Sequence, residues 1–184
     1  MTRRTTLSTF WLLVALATFL APVVAAGESS ATALLPIKNA RIPLEGVLSG
    51  GQPTTEQIEA AARAGFSTVI NLRTDQESGF EWEREAVESL GMRYVQIPVA
   101  GAEGLTHENI ELIDAALREA RQSGPVLLHC ASGNRIGAVL SLRAAWLRDV
   151  EAAEALDYGL ASGLTRLEGK TRELLDLEKP PSPE

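Results

Sequence analysis

The stretch Pro125-Val126-Leu127-Leu128 is apolar and leads without a break into His129-Cys130-Ala131-Ser132-Gly133-Asn134-Arg135, behind which helix-forming residues run from Ile136. A short apolar run bounded by turn residues reads as a buried strand. A strand that feeds a helix through so tight a turn commits this part of the chain to a sheet with helices packed on it.

The same alternation recurs upstream. Val47-Leu48-Ser49 predicts a short strand ending at Gly50-Gly51, and from Gly46 onward the chain reads as organised. Thr54, with Gln57 three residues on, has the pattern of a capping box, so a helix is expected from there to about Arg63, stopped by Gly65. Thr68-Val69-Ile70 marks a strand within 66–72, followed by a polar loop over 73–79 and a helix over 80–90. Residues 92–99 have strand character, and Thr106 opens a helix whose Ile110, Ile113 and Leu117 share one face. Only helices follow the cysteine loop, over about 136–148, 151–161 and 164–177. The expected fold is therefore α/β, with a mainly parallel central sheet and helices on both faces. In such sheets ligands bind beyond the carboxyl ends of the strands, so the loops after Leu72, Val99 and His129 should share a rim. The polar candidates there are Arg73, Asp75, Glu77, Glu103, Glu108, Cys130 and Arg135.

The ends of the chain carry different information. Arg3 and Arg4, the apolar stretch Phe10 to Leu20, and Val24-Ala25-Ala26 before Gly27 make up the three parts of a secretory signal peptide. We expect residues 1–26 to be removed, 27–41 to be a linker, 42–177 to be the domain and 178–184 to be a disordered tail. The apolar run is shorter than the ~20 residues that span a bilayer, so no stable membrane anchor is expected after cleavage. Localisation is expected to be secreted or periplasmic. Losing the signal removes two arginines and no acid, taking the formal charge from -7 to -9. Such a surface repels nucleic acid and excludes it as a partner. Exported with a single cysteine, the chain has no internal disulfide.

That cysteine sits where the loop concentrates backbone N–H groups and the positive end of a helix dipole. An isolated cysteine after an apolar strand is ordinarily an inert core residue. Here Gly133, Arg135 and Gly137 accompany it, and an inert cysteine requires none of them. Cys130 would be a nucleophile whose thiolate the N–H groups stabilise, and Arg135 a planar fork for two oxygens of a phosphate or sulfur oxyanion. Gly137 falls where the helix would pack on the sheet. His129 reads as a hydrogen-bonded structural residue that orients the loop. With two histidines and no Cys/His/Asp cluster at ligand spacing, neither a metal nor another cofactor is expected.

The His-Cys…Gly…Arg loop, together with Leu48-Ser49-Gly50-Gly51-Gln52-Pro53, Val69-Ile70-Asn71-Leu72-Arg73 and Tyr94-Val95-Gln96-Ile97-Pro98-Val99, resembles the cysteine-dependent tyrosine and dual-specificity phosphatase superfamily. Within it, the chain is similar to the bacterial beta-lactamase hydrolase-like phosphatases over about residues 42–165. The resemblance implies attack of Cys130 on phosphorus and a thiophosphate intermediate. Ala131, Ser132, Gly133, Asn134, Arg135 and Ile136 would form the phosphate-binding loop, with His129, Arg73 and Asp75 in support. It also implies a carboxylic acid that protonates the leaving oxygen, for which Glu103 has about the right place and Asp75 is the fallback.

Three departures stand out. Four residues separate Cys130 from Arg135, where most tyrosine phosphatases have five, and Ile136 replaces the usual hydroxyl residue. No aspartate lies between Asp75 and Asp114. The loop length is shared with rhodanese sulfurtransferases, so a Cys130 persulfide is the alternative chemistry. A non-catalytic oxyanion-binding module is a third reading. The expected partner is a phosphorylated small molecule or phosphoprotein substrate, with Phe80, Trp82, Tyr94 and Tyr158 the aromatics free to wall a pocket.

Overall fold

The computed structural model describes residues 35–178. The expected signal peptide, most of the expected linker and the tail beyond Glu178 lie outside the described residues. Five strands form one sheet: β1 (Arg41–Leu44), β2 (Val47–Gly50), β3 (Thr68–Asn71), β4 (Arg93–Gln96) and β5 (Val126–His129). Their order is β1-β2-β5-β3-β4, with β1 antiparallel to β2 and every other pairing parallel. The sheet is thus the mostly parallel one that the alternation of elements predicts.

Six helices cover both faces. On one side α1 (Thr55–Arg63) and α2 (Glu83–Ser89) pack Ile58 and Val87 against Leu48, Val69 and Leu127. On the other, α3 (His107–Ser123), α4 (Asn134–Arg148), α5 (Ala152–Ala161) and α6 (Glu168–Leu174) bury Ile113, Leu140 and Leu156 against Ile70, Val126 and Leu128. Alternate residues of β3 and β5 face opposite cores, as the strand period of two requires.

The capping box at Thr54 forms as read. Gln57 N–H donates to Thr54 Oγ1, and Thr54 N–H donates to Gln57 Oε1. Thr106 Oγ1 accepts the Asn109 N–H at the start of α3, without the reciprocal bond. Two boundaries differ from expectation. The organised chain begins before Gly46: Ile37 is buried in the α1–α2 core and Arg41 opens β1. This short edge strand carries mixed exposure and gives little periodic signal. The final helix is shorter than the expected 164–177, because the Thr165 and Leu167 N–H groups donate to Asn134 Oδ1 and so draw the backbone out of helical register.

Candidate active site

The loop from Cys130 to Arg135 joins β5 to α4 at the carboxyl edge of the sheet. Its entry is held by neighbouring backbone: Cys130 N–H donates to Gly50 O at 3.3 Å and Gln52 N–H to Ala131 O at 3.4 Å. Gly133, at φ 89°, turns the chain into α4. That conformation strains any residue with a Cβ, which is why glycine stands there. No side chain caps α4, and its first turn holds no acid, so the N–H groups of this 15-residue helix remain available to an anion.

Cys130 is buried, and its Sγ accepts a hydrogen bond from the Gly133 N–H at 3.1 Å. Arg135 reaches across the rim. Its Nη1 donates to Leu72 O and Val99 O, both at 3.1 Å, so one guanidinium ties together the ends of three strand-to-helix connections. Nη1 and Nη2 also meet Glu77 Oε1 and Oε2 at 2.6 and 2.7 Å, a two-point ion pair. Nε makes no hydrogen bond to a carboxylate or carbonyl among the described residues. Burial works against the charged guanidinium, but the bonds to Glu77 and the neighbouring Cys130 outweigh it and hold the Arg135 pKa above its ordinary value.

Glu77 is the organising acid of the rim. The Arg135 hydrogen bond is the main force that pushes its pKa down to about 2, against the effect of burial and with help from the Thr74 N–H and Arg73. A group so acidic stays ionised at neutral pH and serves as a clamp, not a proton donor. Arg73 lies in the same network: Nε reaches Glu77 Oε2 at 3.1 Å, Nη1 reaches Gln52 Oε1 at 2.7 Å, and the guanidinium carbon sits 4.6 Å over the Phe80 ring.

Beneath the loop lies a buried polar cluster that pattern reading did not single out. Glu83 has no exposed surface, and its carboxylate accepts from Gln52 Nε2 at 2.8 Å, Asn71 Nδ2 at 2.9 Å and the Tyr94 hydroxyl at 3.1 Å. Burial, reinforced by Glu83, raises the Tyr94 pKa despite a hydrogen bond from Asn71. The sequence signal was an acid four residues before Val87 on the inward stripe of α2. His129 is fully buried with Nε2 3.1 Å from Glu83 Oε1, yet neither ring nitrogen has an aligned hydrogen bond. The expected hydrogen-bonded histidine is instead an ion-distance neighbour of Glu83, held by packing.

The remaining candidates separate clearly. A cavity of about 460 Å³ beside Arg135 is lined by Thr74, Glu77, Val99, Gly101, Asn134 and Arg166, among others. Glu103 is exposed on the turn of the same β4–α3 loop that supplies Val99 and Gly101, without lining that cavity. Asp75 is exposed and accepts from Gln96 Nε2 at 2.9 Å. Glu108 lies apart, in a groove between α3 and the end of α4. Ala131 is exposed, Ser132 half-buried, and Ile136 packed in the core with no exposed surface. Of the aromatics, Tyr94 belongs to the Glu83 cluster and the Tyr158 hydroxyl donates to Pro43 O at 2.8 Å. None of the four lines the cavity at Arg135. Gly137 faces not the sheet but α5 and the α5–α6 connection: a Cβ there would overlap the backbone of Gly159 in α5 and of Leu164 in the connection.

The family model for the beta-lactamase hydrolase-like protein, phosphatase-like domain, matches residues 44–146. A beta-lactamase hydrolase-like protein from Agrobacterium fabrum is 31% identical over 117 residues, which is 61% of this chain and 26% of the relative. One from Xylella fastidiosa is 37% identical over 89 residues, 46% of this chain and 20% of the relative. The chain therefore matches about a quarter or less of the length of these relatives. A crystal structure from Shewanella putrefaciens CN-32, described as a candidate phosphatase (DUF442), superposes with TM-score 0.61 at 26% identity, covering 77% of this chain and 91% of that one.

Proposed function

Because this chain belongs to the family of the phosphatase-like domain of beta-lactamase hydrolase-like protein, and is by fold and family a hydrolase of the cysteine-based phosphatase type, we propose that it cleaves phosphate monoesters through a thiophosphate on Cys130. The observation that carries this reading is the convergence on one loop of Cys130 Sγ, the uncapped N-terminus of α4 and an Arg135 guanidinium already held by Glu77.

In the proposed cycle the three equatorial phosphate oxygens take the loop N–H groups and the guanidinium of Arg135. Cys130 sulfur attacks phosphorus, the P–S bond forms as the P–O bond to the leaving group breaks, and the leaving oxygen takes a proton. Water then attacks phosphorus and gives a proton to the carboxylate left by the first step, the P–S bond breaks, and inorganic phosphate departs with the thiolate and the acid restored. Since Glu77 is committed to Arg135, we assign the proton to Glu103, the carboxylic acid on the adjoining loop. Glu103→Gln should slow an alkyl phosphate much more than an aryl phosphate with a good leaving group, because only the former needs the proton. Equal losses with the two substrates would remove Glu103 from the role.

The deciding experiment assays the purified, reduced protein against an aryl phosphate and, in parallel, against thiosulfate plus cyanide. Phosphate release lost in Cys130→Ser supports the proposal. Thiocyanate formation would assign the loop to sulfur transfer, and oxyanion binding without turnover would make it a binding module. The proposal includes export with cleavage after Ala26, which the mass and cell fraction of the mature protein test.

A further inference from the structure

On the other flank of the loop lies a cleft of about 370 Å³ lined by Lys38, Asn39, Arg41, Ser132, Thr165 and Arg166, among others, with no acidic side chain in its wall. Lys38, Arg41 and Arg166 are exposed, and among the described residues none of them forms an ion pair. Most other arginines of the described chain do face a carboxylate, and the protein carries a net charge of -7. Three unpaired cations around one cleft are the reverse of what this surface would show on average.

The backbone that carries the three is tied to the Cys130 loop and its neighbours. Lys38 O accepts the Gly51 N–H at 2.8 Å, and Gly51 bridges to Ser132. Asn39, in the left-handed region at φ 56°, donates from Nδ2 to Ser132 O at 2.9 Å. Arg41 Nη1 turns back onto Asn39 O and Ala40 O at 3.4 and 3.3 Å. Asn134 Oδ1 accepts the N–H groups of Thr165 and Leu167, on either side of Arg166. Arg166 lines this cleft and also the cavity beside Arg135, so it stands between the two.

We propose that this cleft is a second anion subsite, and that the substrate is a small phosphate monoester carrying another phosphate group, which Lys38, Arg41 and Arg166 hold while the scissile phosphate occupies the Cys130 loop. The inference rests on the phosphatase reading and names its substrate class. A small molecule fits better than a phosphotyrosyl protein, since no aromatic side chain lines either cleft. Arginine forks and an ammonium suit phosphate oxygens, and in an otherwise acidic surface they would attract a bisphosphate in preference to a singly phosphorylated ester.

The test compares phenyl phosphate with 1,4-phenylene bisphosphate and 1,3-propanediol bisphosphate on the full chain. At low salt, kcat/KM for at least one bisphosphate should exceed that for phenyl phosphate about tenfold, mainly through KM. The preference should shrink toward physiological salt, where exposed charges are screened over ~8 Å. It should collapse in Lys38→Gln/Arg166→Gln, with Arg41→Gln giving a partial loss. Calorimetry of the bisphosphates on Cys130→Ser reads the subsite without turnover: the same two substitutions should weaken binding about tenfold. If none of the three phosphate esters is hydrolysed, the phosphatase reading fails while calorimetry still decides the subsite. No preference for either bisphosphate, or affinity unchanged by the double substitution, would overturn the inference.

Discussion

At the scale of single residues the site depends on one guanidinium with two duties. Arg135 holds Glu77 and two carbonyls through Nη1 and Nη2 and has Cys130 as a neighbour. A lysine keeps the charge but cannot make planar two-point contacts. Arg135→Lys is therefore expected to be nearly as damaging as Arg135→Ala, each losing about 2–4 kcal/mol of transition-state stabilisation. Near-normal kcat/KM in the lysine variant would refute the fork. Glu77 makes a separate prediction. Its carboxyl titrates near 2 in the folded chain against an ordinary 4.5, so its stabilising contribution is complete above pH 4.5 and is lost as pH falls from there toward 2. Glu77→Gln should lower stability by about 2 kcal/mol at pH 6, leaving Arg135 half-buried without its counter-charge. The gap from wild type should close between pH 4.5 and 2, as urea denaturation across that range would show. A gap that widened on acidification would place the Glu77 shift in the wrong direction.

Among the elements, the contact of α4 with the α5–α6 connection governs the rim. Gly137 lets helix backbone lie against Leu164 and Gly159, and the overlap a Cβ would make there is with main chain, which cannot swing aside. Gly137→Ala should therefore cost about 3 kcal/mol and displace the segment carrying Arg166. Gly169 in α6 has open space around its Cα, so Gly169→Ala should be stabilising by about 0.5–1 kcal/mol. Thermal melts of the pair test this, and similar effects of the two substitutions would contradict the close approach. The hydrogen bonds from Thr165 and Leu167 to Asn134 give the same contact a second role, since they couple the last helices to the Cys130 loop.

Across the whole molecule, the segment before β1 is part of the folded unit. Ile37 is 4% exposed, and Asn39 holds Ser132. A chain beginning at Leu35 keeps Ile37, Asn39 and the whole of β1. One beginning at Ile42 should lose about 3 kcal/mol from the buried isoleucine and the hydrogen bond, along with order in the loop. Equal stability of the two truncations would show that the segment contributes nothing to the fold. The parallel strands β2, β5, β3 and β4, the capped helix starts at Thr54 and Thr106, and the strand–loop–helix around Cys130 were all legible in the sequence. Each rests on local chemistry: apolar runs, turn glycines, and side chains that cap the helix beginning beside them. What only the tertiary structure decided are the partnerships between distant residues. Glu77 meets Arg135 across 58 positions, Glu83 lies under the loop beside His129, and Asn39 and Arg166 come to either side of Ser132. A charged side chain on a loop or helix looks the same in sequence whether it faces water or a buried counter-charge. Its partner is selected by the order in which strands pair and helices cross, and that order is a property of the packed chain.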